Sequence, residues 1–212
     1  MLDLTAWEGH FKRFLATQHP ADVAHDAEHI RRVVTNARRL AAATGADVAV
    51  VVPAAWLHDC VRVAKNSPLR AQASRLAADA AAEFLRAEGY PAEHIAAIAH
   101  AIAAHSFSAG IAPQTLEAQV VQDADRLDAL GAVGIARCLM LGGAMGKPLY
   151  DTSEPLPVTR PPNDGAYVID HFYTKLLGLA ATMQTAPGRT EAERRTSLMR
   201  AFLDELALNA RP

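Results

Sequence analysis

Apolar positions recur along this chain mostly at helical spacing, three or four residues apart. Phe11, Phe14 and Leu15 outline one helix. Ile30, Val33, Val34, Ala37 and Leu40 outline a second, which Gly45 closes as a C-terminal cap. The segment "DVAVVVPAAWLHDC", beginning at Asp47, is apolar almost throughout. Its valines suit a strand, but no other strand candidate exists to pair with it, so it reads as a helix started or kinked at Pro53. "SPLRAQASRLAADAAAEFLRAEGYP" predicts a helix ended by Gly89 and Pro91, and another follows from Ala92 to about His105. One continuous helix is expected through "TLEAQVVQDADRLDALGAVGIARCLML". From Gly142 to Gly165 the period gives way to Gly and Pro, which predicts the one long loop, a kind of segment often functional in a compact domain. Two last helices are expected from about Tyr167 to Thr185 and from Glu191 to Leu208. There is no internal repeat, and the pattern predicts a single all-α domain over residues 1–212.

Composition agrees with that fold class. Half of the residues are hydrophobic but only 6% aromatic, with alanine leading, which favours helices packed closely through small side chains. A net charge of −2 supplies no basic field for DNA or RNA, so nucleic-acid binding is not expected and a small charged molecule is the better partner. Cys60 and Cys138 form no C-x-x-C and no paired framework, as in a reduced cytosolic protein. With no signal-peptide core and no apolar run long enough to span a bilayer, a soluble cytoplasmic protein is expected, a monomer or homodimer.

His and Asp gather at four places: His25 to His29, His58-Asp59, His100 with His105, and Asp123-Asp125-Asp128. Singly, an i,i+4 histidine pair or three acids around Arg126 describe a solvated helical face equally well. His58-Asp59 is different, because it ends the apolar run "VVVPAAWL", and charged groups carried into a core need a partner or a metal. Adjacent helical residues point about 100° apart, so a metal touching both must sit beside the helix end and draw further ligands from other helices. One of His25 and His29, and an Asp of "QDADRLDALGA", can supply them. Mixed nitrogen and oxygen donors suit Mn²⁺ or Mg²⁺, and less specifically Fe²⁺, Ni²⁺ or Zn²⁺.

The resulting order, His, His-Asp, Asp, resembles the HD-domain metal-dependent phosphohydrolase superfamily, whose mark is H…HD…D on an all-helical core. "HDAEHIRRV", "AAWLHDCVRVAKNSP", "AIAAHSFS", "VVQDADRLDALGAVGIAR" and "HFYTKLLGLA" are similar, in the same order, to blocks of its small single-domain bacterial branch. The motif-bearing core spans about residues 22–185. The resemblance implies one divalent metal held by His29, His58, Asp59 and Asp125, with His25 one turn earlier as a supporting or substrate-side group. Asp128, a turn beyond Asp125, is the expected acid or base acting on water, and His105 the expected proton donor to a leaving group. For a phosphate the sequence offers Lys65 and Asn66 in the turn after the HD helix, Arg32, and His171 with Lys175 as i,i+4 neighbours; His100 reads as structural. Each of these also fits an ordinary polar surface.

The implied activity is hydrolysis of a phosphoester or phosphoanhydride in a small molecule, by the resemblance a nucleotide, with a nucleoside triphosphate cut to monophosphate and pyrophosphate as one form. A nucleotide or sugar phosphomonoesterase and a non-catalytic helical module stabilised by its metal are the alternatives. "GGAMGKP" is no Walker A loop, since Leu141 stands where the first glycine belongs and Pro148 follows Lys147. His25, Glu28 and His29 match the H-x-x-E-H of inverted zinc peptidases, but that reading leaves His58-Asp59 and Asp125 without a task.

Overall fold

The computed structural model describes residues 2–18, 23–61, 63, 67, 69–106 and 109–210, with the backbone alone for 23–26 and 70. Among them are nine α-helices and no strand: α1 (Leu4–Gln18), α2 (Val23–Thr44), α3 (Val48–Leu57), α4 (Ala73–Ala87), α5 (Ala92–His105), α6 (Leu116–Asp128), α7 (Gly131–Ala144), α8 (Asp170–Thr174) and α9 (Ala186–Asn209). Short 3-10 turns occur at Arg70–Gln72 and Leu176–Thr182. No single helix among the described residues is long and apolar enough to cross a membrane. The chain divides into two compact units, Met1–Asp125 and Arg126–Pro212, with the boundary inside α6.

In the first unit α3 occupies the centre because it is apolar on every face: Val50 through Leu57 are all buried. It packs against α1, α2 and α5. Asp47 caps its start, accepting a 2.8 Å hydrogen bond from the Ala49 amide. Pro53 sits inside the helix and cannot donate to the Ala49 carbonyl one turn back, an arrangement that costs about 3 kcal/mol in an isolated helix. The Tyr90 hydroxyl takes the missing donor's place, 2.6 Å from that carbonyl. Burial of Val51, Val52, Trp56 and Leu57, at about 1.5–3 kcal/mol each, then outweighs what remains of the proline penalty. Around this centre α1 docks through aromatic contacts, Phe14 stacking on Phe84 at 4.2 Å and Trp7 meeting Tyr90 edge-on at 4.8 Å. Gly45 and Gly89 end α2 and α4 in the left-handed region, as the sequence predicts.

From α6 onward four expectations are corrected. The single helix expected through Thr115 to Leu141 is broken into α6 and α7: the Leu127 and Leu130 side chains are both buried, Leu130 is extended, and Gly131, with φ of +71°, redirects the chain as α7 begins. The α7 helix continues to Ala144, so the long loop starts later than expected; Gly142 stays helical because a Cβ there would lie 2.3 Å from a Val168 methyl. The helix expected from Tyr167 to Thr185 is instead the five-residue α8 and a 3-10 turn, since Lys175 has φ of −140° and ψ of −60° and ends the α-helical path. Finally, α9 begins at Ala186 rather than Glu191, because the Thr185 hydroxyl accepts from the Gly188 amide at 3.1 Å and Pro187 falls in the first turn, where no donor is needed.

The loop after α7 is held from within. Asp170, fully buried, accepts from Arg160 Nη2 at 2.7 Å and from the Asn163 amide at 2.6 Å, while Arg160 also lies over the Tyr167 ring at 5.2 Å. Glu154 accepts from the amide of Val158 at 2.8 Å.

Candidate metal centre

The centre lies within the first unit, where α3 stops at Leu57. His58 and Asp59 occupy the turn beyond it, His58 with no exposed surface and Asp59 with 59% of its side chain open to solvent. The His58 Nδ1 lies 2.9 Å from the Ala55 carbonyl and can only be the donor to it, so Nε2 carries a lone pair. That Nε2 faces His29 Nε2 of α2 at 3.3 Å. Asp125 of α6 closes the group, its Oδ1 being 3.5 Å from His29 Nε2 and 3.8 Å from His58 Nε2. Asp59 extends it: Oδ2 is 3.6 Å from His58 Nε2, and Oδ1 is 3.6 Å from His105 Nε2 at the end of α5. Like His58, His105 donates from Nδ1 to a carbonyl of its own helix, that of Ile102 at 2.6 Å.

These separations fit a cation held by either of two overlapping groups that share His58. Adjacent ligands of an octahedral or tetrahedral ion with bonds near 2.1 Å are roughly 3.0–3.4 Å apart. The donor atoms of His29, His58 and Asp125, and those of His58, Asp59 and His105, fall within 4.8 Å of one another. The imidazoles of His29 and His58, the latter with its Nδ1 turned away onto a carbonyl, and the carboxylates of Asp59 and Asp125 are a donor set for a borderline to hard divalent ion. The ends of α3 and α5 add to this, because each carries the negative end of its dipole to its own histidine, His58 or His105.

The titrating groups follow the same field. Burial pushes the His58 imidazole below its ordinary value, against the pull of Asp59. For Asp59 burial acts upward, but His58 and His105 outweigh it and hold the carboxyl well below the usual carboxylate range. His105 would be lowered by burial, yet its hydrogen bond to Asp59 and the charge of Asp125 raise it overall.

The remaining residues singled out in the sequence have these places. Asp128 is buried and its carboxylate is taken by Arg137 Nη1. His171 Nδ1 lies 2.9 Å from Asp164 Oδ2, and Lys175, exposed at the C-terminal end of α8, donates its amide to the His171 carbonyl at 3.1 Å. Arg32 is half-buried on α2. Lys65 and Asn66, and the His25 side chain, lie outside the described residues. Glu28 pairs with Arg31 at the surface, and His100 Nε2 accepts from the Gln114 amide at 3.0 Å, a structural role. No motif points to two buried amides beside these ligands, Asn36 and Gln122; the available signal was a polar residue on the apolar face of its helix.

An all-helical chain with histidines and aspartates from four helices converging on one point is a metal-site protein of a recognisable class. The HD domain family matches residues 26–130, a span holding His29, His58, Asp59, His105 and Asp125. The uncharacterised protein YpgQ of Bacillus subtilis (strain 168) is 35% identical over 186 residues, which is 86% of this chain and 82% of that protein. An HD-superfamily hydrolase from Bacillus thuringiensis has a similar structure, with TM-score 0.73 and 31% identity over 96% of this chain and 97% of that one. So does Bacillus subtilis YpgQ in complex with ADP, with TM-score 0.70 and 30% identity over 95% of each chain. The chain belongs to the HD superfamily.

Proposed function

We propose that this protein is a divalent-metal-dependent phosphohydrolase acting on a small phosphorylated molecule, a nucleotide in the first instance. The observation that carries the reading is the 3.3 Å approach of the His29 and His58 Nε2 atoms, flanked by Asp125 and Asp59, with the His58 lone pair directed into the group by its own backbone contact. His29, His58, Asp59 and Asp125 would hold the ion, Mn²⁺ or Mg²⁺ before Fe²⁺, Ni²⁺ or Zn²⁺. When bound, such an ion lowers the pKa of water and neutralises charge on phosphoryl oxygens. The chain's own work is then positional and protonic. Asp59 Oδ1 holds His105 Nε2 in its charged form, and His105 donates that proton to the leaving-group oxygen. Asp128, engaged by Arg137, is a structural acid in this reading rather than the base. Arg32, Lys65 and Asn66, of the same unit as the metal centre, are the positive and polar groups assigned to the phosphates.

Support for a nucleotide comes from the relative crystallised with ADP. A triphosphate cut to monophosphate and pyrophosphate is the form assigned first, ahead of phosphomonoester cleavage. The test is a screen of nucleoside mono-, di- and triphosphates and a simple aryl phosphate with Mn²⁺, Mg²⁺ or EDTA, repeated with Asp59→Ala. Phosphate or pyrophosphate release that EDTA abolishes and Asp59→Ala lowers by about 100-fold or more is expected. Turnover that survives both treatments would sink the mechanism, and tight metal binding without turnover would identify a non-catalytic module.

A further inference from the structure

The ligands come from different helices, and something must fix the sliding of those helices along one another. Most of the packing surfaces cannot. The α2 face that carries His29 is built from Ile30, Val33, Val34, Ala37 and Leu40, and α6 likewise turns Ala118, Val121 and Ala124 inward, all buried. Apolar burial is non-directional, so such a surface holds two helices together without choosing their register to a fraction of an ångström. A metal site needs donors placed to about 0.2 Å.

Two buried amides supply direction. Asn36, 7% exposed and two turns from His29 on the same face of α2, donates from Nδ2 to the Ala124 carbonyl at 3.3 Å, the residue before Asp125. Gln122, 3% exposed and one turn before Asp125, donates from Nε2 to the Ala104 carbonyl at 2.7 Å, the residue before His105. The end of α5 is thereby fully tied, its last carbonyls served by His105 itself at Ile102, by the Ser74 hydroxyl at Ala103 (2.9 Å) and by Gln122 at Ala104. Each cross-helix tether ends on the backbone of the residue next to a member of the metal centre.

We infer that Asn36 and Gln122 are positioning residues that set the register of α6 against α2 and α5, and through it the placement of Asp125 against His29 and His58. This rests on the metal-centre reading above. It assigns the two amides to geometry more than to stability: a buried hydrogen bond is worth about 1 kcal/mol net, and shape-matched apolar replacements are often tolerated. Their loss is therefore felt first in the affinity of the centre for its ion.

The experiment is calorimetric titration of the purified full chain with Mn²⁺, for wild type, Asn36→Leu, Gln122→Met and Leu85→Ala, a truncation in the α4 core that touches neither tether. Thermal midpoints are recorded for all four. Both tether variants are expected to bind Mn²⁺ about 10–100-fold more weakly, while Leu85→Ala, with an equal or larger fall in Tm, stays close to wild type. Should Asn36→Leu not fold, Gln122→Met carries the same comparison alone. Wild-type affinity in the tether variants, or an equal loss in Leu85→Ala, overturns the positioning role; absence of Mn²⁺ binding in the wild type overturns the metal centre itself.

Discussion

His58 shows how a single residue acquires its chemistry from its neighbours. Its place after "VVVPAAWL" buries it, burial keeps it neutral, and the Ala55 carbonyl claims Nδ1, so the Nε2 lone pair points at His29 and Asp125. His105 is wired in the same way but answers to Asp59, so the two histidines respond to pH in opposite senses. The raised His105 favours its charged form in the folded chain, so its contribution is fully present below about pH 6.5 and is lost as pH rises through the higher folded value. The lowered His58 works the other way: below pH 6.5 the unfolded chain takes up a proton that the folded one refuses, and stability falls. In EDTA-treated protein, the gap in Tm between wild type and His105→Gln should thus be wider at pH 6 than at pH 9. A gap that is constant across that range contradicts the assignment. At this scale the HD pair was legible, because a charged dipeptide at the end of an apolar run demands a partner. Asn36 and Gln122 were not, since a lone amide inside a helix has no spacing to read.

At the scale of elements, α3 illustrates a penalty in one place relieved from another. Removing the Tyr90 hydroxyl with Tyr90→Phe leaves the half-buried Ala49 carbonyl with neither the Pro53 ladder donor nor its side-chain donor. Urea unfolding should show a loss of about 1–3 kcal/mol, while a change below a few tenths would mean that the helix tolerates Pro53 unaided. The loop after α7 depends in the same way on Asp170. Asp170→Ala strands Arg160, whose side chain is only 17% exposed, and should cost about 3 kcal/mol or more together with faster proteolysis within residues 145–169. Proteolysis at the wild-type rate would show that the loop is held by its other contacts. Helices with plain apolar periods, α2 and α4 with their glycine stops and α5 after Pro91, were legible from the sequence. The α6–α7 break was not, because Leu127, Leu130 and the residues beyond keep helical spacing across it, while the extended Leu130 and the positive φ of Gly131 interrupt the path. Nor was the start of α9, where a Thr cap with Pro two residues on reads equally as a loop.

At the scale of the molecule, binding of an ion to the folded state alone must raise stability by mass action. Mn²⁺ at about 100 times its Kd is worth about 2.7 kcal/mol, or an increase in Tm of roughly 5–10 °C for a chain of this size, reversed by EDTA and absent in Asp59→Ala. An unchanged Tm at saturating Mn²⁺ would deny the centre any preference for the folded chain. The similarity to HD-superfamily proteins extends over nearly the whole chain, in keeping with signature blocks scattered from α2 to α8. The sequence by itself determined the all-helical class, the ends of α2, α4 and α5 and the order His, His-Asp, Asp, because helical period, caps and residue chemistry are local properties. Only the tertiary structure decided that His105 joins Asp59, that Arg137 engages Asp128, and that Asn36 and Gln122 tether α2, α5 and α6 beside the ligands. Those contacts join residues of separate helices, or of α6 and α7 across an unforeseen break, and no spacing within one helix records how it slides against another.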